Sequence, residues 1–171
     1  MVSLEVNQNV VYESLKYAKQ KQIDTFLVCS PAEKCSKDMI EIADSIILNK
    51  REFNHIFKAN VMTLHDTEKA LVEFLGKKKR MLITLGSQGA VLMDDGQIFS
   101  SKALKVKAVD AIGAGDALAG AYIGSLSNDF APQKALSIGC IAGALAVTKV
   151  GPQTSSHTMQ EVLDIYQNNY Q

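Results

Sequence analysis

Short apolar runs alternate with stretches of helical spacing along most of this chain, and that alternation admits few folds. Residues 2–6, 25–29, 45–48 and 81–85 are β-prone, the last three nearly continuous in apolar side chains. Between them, residues 9–21, 37–43, 51–57 and 66–76 carry the spacing of helices, with Val10, Leu15 and Ala18 marking the first apolar face. An apolar run bounded by turn residues reads as a strand covered on both faces. Strands separated by helices of this length pair in parallel, because a parallel pair needs a long crossover. The expectation is an α/β, three-layer fold with a mainly parallel sheet. Residues 89–93 and 97–100 flank Asp94-Asp95-Gly96, a hairpin signal. After Leu104-Lys105-Val106 the chain turns Gly- and Ala-rich, with helices expected at 114–126, 132–148 and 159–166. No repeat or linker interrupts it, so residues 1–171 read as one domain. Sheets of this type hold ligands at the carboxyl ends of their strands. Those ends fall at Cys29-Ser30, Leu48-Asn49 and Leu85-Gly86.

Charge excludes some partners. Eighteen basic and eighteen acidic side chains cancel, which argues against nucleic acid and anionic membranes. The basic cluster Lys77-Lys78-Lys79-Arg80 reads as a solvated helix end. No apolar stretch reaches the roughly twenty residues that span a bilayer, and the start lacks the pattern of a signal peptide. Cys29, Cys35 and Cys140 fit neither a zinc site nor a disulfide framework, so free thiols and a cytoplasmic location are expected. His55, His65 and His157 are scattered, without metal spacing.

The stretch that carries chemistry is Asp110-Ala111-Ile112-Gly113-Ala114-Gly115-Asp116. Its glycines let the backbone turn tightly and aim successive N–H groups into one space. A helix begins there, and its first amides and positive dipole end would hold an anion. A carboxylate beside a transferring phosphoryl group can accept the proton of an attacking hydroxyl. Taken alone, the same tetrapeptide Gly113-Ala114-Gly115-Asp116 also reads as a helix cap. Neither a Walker loop nor a dinucleotide-binding glycine fingerprint is present.

Residues 109–116 closely resemble the C-terminal signature of the ribokinase-like, or PfkB-type, carbohydrate kinases. Three further stretches are similar in the same order: Asn49-Lys50-Arg51-Glu52, the loop Ile83-Thr84-Leu85-Gly86-Ser87-Gln88-Gly89, and Val147-Thr148-Lys149-Val150-Gly151-Pro152-Gln153-Thr154-Ser155. The resemblance implies a Rossmann-like sandwich and the activity of an ATP-dependent sugar kinase. It assigns Asp116 as the base that activates the sugar hydroxyl and Gly113, Ala114 and Gly115 as the anion hole. Thr84, Gly86, Ser87, Gln88, Gly89, Gly115, Asn49 and Cys140 would meet the nucleotide. Asn49 and Glu52 would act on magnesium through water, which this ion retains. Asp110, Ile112, Ala146, Lys149, Gly151 and Ser155 match positions that hold a potassium-type cation, Lys149 through its carbonyl alone. Glu5, in Ser3-Leu4-Glu5, is similar to a residue that reaches the sugar.

The chain departs from the family at Cys29-Ser30-Pro31-Ala32, where Asn-Pro-Ala-Pro is frequent, and at Cys140, where a histidine faces adenine. The Gly-x-Gln-x-Ser form of residues 151–155 points to the ribose-phosphorylating branch; fructose or a nucleoside is the alternative. Family members are about twice as long. Their N-terminal half supplies a Gly-Gly motif, much of the sugar pocket and a lid, none of which is present here. The chain is therefore expected to need that half, or a second copy, beside the strand at residues 2–6. A nucleotide-binding half-domain, inactive alone, stands as the non-enzyme reading.

Overall fold

Each apolar run of the first half becomes a strand, and each stretch of helical spacing becomes a helix. The computed structural model describes residues 1–74, 79–151 and 157–170, the last residue by its backbone alone. In chain order the elements are β1 (Val2–Ser3), α1 (Gln8–Gln20), β2 (Phe26–Val28), α2 (Lys37–Ile42), β3 (Ser45–Asn49), α3 (Lys50–Phe57), α4 (Leu64–Val72), β4 (Arg80–Thr84), β5 (Ala90–Asp94), β6 (Gln97–Ser101), α5 (Ala114–Leu126), α6 (Pro132–Ala146) and α7 (Met159–Tyr170). The six strands form one sheet in sequence order, and β1, β2, β3 and β4 pair in parallel. The fold is α/β with a mainly parallel sheet, as expected. Between β5 and β6 the turn residues Asp95 (φ 45°) and Gly96 (φ 75°) are both left-handed. Such a turn twists with the strands it joins.

Two expectations are corrected. The strand anticipated at residues 2–6 is paired at Val2 and Ser3 alone, with β2 as its one neighbour among the described residues. Beyond them Ser3 Oγ accepts a bond from the Glu5 amide at 3.2 Å, closing a local turn in place of further pairing. In α1 the inward face is Val11 and Leu15, one helical turn apart, while Val10 is 59% exposed. Short 3-10 turns at Ala32–Lys34 and Gly86–Gln88 were not anticipated.

The chain divides into two compact units, Met1–Leu85 with Val91–Ile98, and Gly86–Ala90 with Phe99–Gln171. In the first, Leu4, Val11, Leu15, Ile46, Leu48 and Phe53 belong to one buried cluster. Side chains of β3 are buried from Ser45 to Leu48 on both faces, which is why that run is continuously apolar. In the second, Ile138, Ile141, Ala142 and Val162 pack together, and Tyr122 is fully buried. Helices α5 and α6 approach closely through glycine. A Cβ at Gly139 would lie 3.0 Å from the Leu118 carbonyl oxygen, and one at Gly143 would lie 3.1 Å from that of Ala114.

Polar groups fix the ends of the first unit's elements. Lys79 is not solvated: its ammonium donates to the carbonyls of Ile40, Glu41 and Ala43 at the end of α2. Burial lowers its pKa, and a cation at a helix C-terminus suits the dipole there. Lys77 and Lys78 lie outside the described residues. Arg80 pairs with Asp94 at 2.9 Å, so the basic cluster is partly consumed by structure. No helix among the described residues is long and apolar enough to cross a membrane.

Asp44 ties three elements together. Its carboxylate accepts from the Thr25 amide at 3.0 Å, the Thr25 hydroxyl at 2.7 Å and the Lys19 ammonium at 2.9 Å. The Asp44 amide donates to Thr25 Oγ1 at 2.8 Å in return. Burial alone would raise this carboxyl, but the bonds from Lys19 and Thr25 overcome it and hold the pKa below the usual range. A depressed native pKa stabilises the fold above the unfolded value of about 4, and that contribution is lost as pH falls through the native value. Asp44→Asn is expected to flatten the acid limb of the stability curve and to cost about 1 kcal/mol near neutrality, since the pair is partly solvated. Urea unfolding between pH 2 and 7 checks this; parallel acid limbs would contradict it.

Candidate active site

Asn49 ends β3 and begins α3, so one residue serves strand and helix. Its side-chain oxygen accepts from the amides of Arg51 and Glu52 at 2.9 and 3.0 Å, and Glu52 Oε2 accepts from the Asn49 amide at 2.7 Å. This reciprocal capping box satisfies the first amides of the helix. Glu52 is 9% exposed. Register places Asn49 directly beside Thr84 at the end of β4, so two of the sequence-derived residues meet at adjacent strand ends. Glu5 is exposed in the turn after β1. At the end of β2, Cys29 is fully buried, its thiol 3.9 Å from the Leu27 carbonyl oxygen. Its neighbour Cys35, and then burial, push the Cys29 thiol up, while Cys29 holds Cys35 below its ordinary value.

In the second unit the start of α5 differs from the starts of α3 and α4. Gly113 is the cap residue, left-handed at φ 80°, and offers no side-chain bond. Among the described residues the amides of Gly113, Gly115 and Asp116 have no partner, and these residues are not buried. Asp116 stands in the third position of the helix. In α3 and α4 the acids at that position, Glu52 and Asp66, reach back to the amide of the cap residue. Asp116 makes no such bond, nor any other among the described residues. A carboxylate that were merely capping the helix would be spent on that amide. Here both the donors and the acid are left for something else.

Asp110 braces the turn that precedes α5. Its carboxylate accepts from the Ile112 amide at 3.0 Å and from the Gly151 amide at 3.0 Å. The first of these bonds, then the second, lowers its pKa. The amides of Val109 and Asp110 both donate to the Val147 carbonyl, at 2.7 and 3.2 Å. Three of the proposed cation residues, Asp110, Ile112 and Gly151, are thereby linked, and Ala146 precedes the Val147 carbonyl that holds the same turn. The Lys149 side chain is exposed. Ser155, with Pro152, Gln153 and Thr154, lies outside the described residues.

Gly86, Ser87 and Gln88 form the 3-10 turn, and Gly89 closes it, its amide donating to the Gly86 carbonyl at 3.0 Å. Gly89 has φ 110°, and a Cβ there would lie 2.0 Å from the Ser101 carbonyl oxygen. Cys140 is 3% exposed, with its thiol 3.8 Å from that same carbonyl oxygen. Burial pushes its pKa up to about 11. The loop and Cys140 therefore meet at the backbone of Ser101.

Residues 1–159 match the family described as pfkB family carbohydrate kinase. The chain belongs to that family. It is 30% identical over 148 residues to a ribokinase of Lactococcus lactis, covering 86% of this chain and 46% of that one. It is 28% identical over 169 residues to a ribokinase of Haemophilus influenzae, covering 98% and 55%. The fold also matches Arabidopsis thaliana ribokinase complexed with ribose and ATP, with a TM-score of 0.82 at 19% identity over 95% of this chain and 54% of that one. This chain spans about half the length of the curated relatives it matches.

In this PfkB-family chain the support of the helix start was not foreseen. The Gly139 and Gly143 contacts that seat α5 could have been anticipated from their four-residue spacing; the role of Ser101 carries no sequence signal. The two loop glycines differ in a way that can be measured. At Gly86 a Cβ meets nothing within 4 Å, so Gly86→Ala costs only left-handed strain, about 1–2 kcal/mol. Gly89→Ala adds a backbone collision and is expected to cost about 2–5 kcal/mol. Equal shifts of the two urea midpoints would contradict the close approach to Ser101.

Proposed function

We propose that this chain carries the nucleotide-binding and proton-abstracting part of an ATP-dependent sugar kinase, with ribose as the sugar. The supporting observation is the start of α5, where three amides and a carboxylate have no partner among the described residues. Asp116 takes the proton of the sugar hydroxyl, and the oxygen so freed bonds to the γ-phosphorus as the bond to the bridging oxygen breaks and ADP leaves. The amides of Gly113, Gly115 and Asp116 hold the charge that grows on the phosphoryl oxygens. Ala114 sits between them, its own amide bonded to the Ala111 carbonyl at 3.3 Å. Thr84 and residues 86–89 bind the nucleotide, and Glu5 contacts the sugar. Cys140 is assigned to the adenine end of that pocket, where it acts by shaping the Ser101 backbone beside Gly89. The ribokinase names of the relatives, and the ribose and ATP in the Arabidopsis complex, support this substrate pair. A cytoplasmic location accompanies it.

Magnesium would shield the phosphate charge. Asn49 and Glu52 each spend one oxygen on the capping box, so they act on it through its water. A potassium-type ion fits the brace around Asp110, a carboxylate held ionised amid carbonyl-rich backbone. Ile112, Ala146, Lys149, Gly151 and Ser155 complete that set, and the ion would order the turn ahead of the anion hole.

A second reading is favoured by length alone: a nucleotide-binding half that is inactive until it meets the rest of a kinase. Sugar-dependent ADP release measured beside nucleotide binding separates the two. Binding without turnover selects the half-domain; neither selects against both. In an active assembly, Asp116→Asn is expected to lower kcat by about 10²–10⁴-fold and leave ATP affinity within a few-fold. A variant that keeps about a tenth of the rate or more on that scale removes Asp116 as base. Potassium is expected to raise the rate above that in sodium at equal ionic strength, whereas equal rates in potassium, sodium and a bulky organic cation would remove the cation site.

A further inference from the structure

Helix α1 spends one apolar face on the core and carries a second that nothing among the described residues covers. Val11 and Leu15 are buried, whereas Val10 is 59% and Tyr17 60% exposed. Residues 10, 13, 14 and 17 share one face by their helical spacing. A shallow open groove runs along it, lined by Asn9, Val10, Glu13, Ser14 and Tyr17. This face is symmetric about a point midway between residues 13 and 14: reversing the helix exchanges Val10 with Tyr17 and Glu13 with Ser14. Its charge is polarised instead. Across residues 8–21 the lysines, Lys16, Lys19 and Lys21, all follow the acid Glu13, and no basic residue precedes it.

We propose that this face docks a second copy of the chain, the two α1 helices packing antiparallel about a two-fold axis between residues 13 and 14. A two-fold contact has to be self-complementary, each residue of a pair meeting the other in both directions. Here Val10 of each copy meets Tyr17 of the other, and the two Ser14 side chains lie beside the axis. Antiparallel packing sets the lysine-bearing end of each helix against the end without basic residues. Parallel packing would stack lysine on lysine, which is repulsive. Glu13 already holds Lys16 of its own helix at 3.1 Å, and it gains Lys16 of the second copy as a neighbour. The edge of β1 offers less, because pairing there stops after Ser3 and the Ser3 hydroxyl takes the Glu5 amide. A helix of 13 residues is about 20 Å long, and alone it buries less than the roughly 1,200–2,000 Å² of a stable interface. The dimer is therefore reversible and fills as concentration rises. The contact is independent of the proposed phosphoryl transfer.

Sedimentation velocity at increasing concentration, together with site-directed cross-linking, tests the contact. The wild-type chain is expected to shift from monomer to dimer as concentration rises. Val10→Asp and Tyr17→Asp each bury a charge in the paired face and are expected to weaken association about tenfold or more. Both positions are exposed in the single chain, so circular dichroism should show the fold unchanged. In Ser14→Cys, mild oxidation should join two copies, and trypsin without reductant should release residues 1–16 linked to a second 1–16. Gln8→Cys, on another face of α1, should give no such product, and the wild-type chain none. A sedimentation coefficient independent of concentration, or equal cross-linking through positions 8 and 14, would overturn the proposal. So would a dimer that neither charged variant weakens, which would move the contact to another surface such as the β1 edge. The cross-link decides the matter even if a charged variant fails to fold.

Discussion

The first amides of a helix have no partner within the helix, and helices α1 to α4 meet that demand differently from α5. Asn7, Ser36, Asn49 and Thr63 each lend a side-chain oxygen to the helix that follows. At α3 and α4 an acid three residues on returns the bond, so donors and carboxylate are both consumed. At α5 the cap is a glycine without a side chain, and the acid in the third position accepts nothing among the described residues. Desolvating such amides without a partner costs about 1–3 kcal/mol each, so a helix start of this kind persists where water or an anion can reach it. The exposure of Gly115 and Asp116 meets that condition.

The rest of the second unit holds that start in place. Glycines at 139 and 143 let α6 touch the backbone of α5, and any side chain there would press on a carbonyl. Asp110 fastens the preceding turn to Ile112 and Gly151, while Val147 receives both amides of Val109 and Asp110. A catalytic geometry needs its supporting atoms held as tightly as the reacting ones. In the first unit the same economy places Asn49 beside Thr84 through strand register.

The parallel sheet, the crossover helices and the hairpin at Asp95-Gly96 were legible because each is enforced locally. Periodicity decides which face is apolar, and two left-handed residues decide the turn. The limits of β1 were not, because strand length depends on a neighbouring strand, and β1 has only β2. Val10 was misassigned for a related reason. Valines at 10 and 11 are equivalent to a periodicity argument until packing selects one of them, and it selects Val11.

The sequence by itself determined the order of strands and helices, the glycine turn ahead of α5 and the identity of the acid that follows it, since these depend on residues adjacent in the chain. Tertiary structure alone decided that Asp116 has no partner among the described residues while Glu52 is bound. An acid that caps its helix and one that does not have the same spacing in sequence, and only the position of the carboxylate distinguishes them. It also decided that Lys79 closes α2 and that Cys140 is buried against Ser101. Contacts of this kind join residues through the path of the backbone in space, which the local pattern of side chains does not encode.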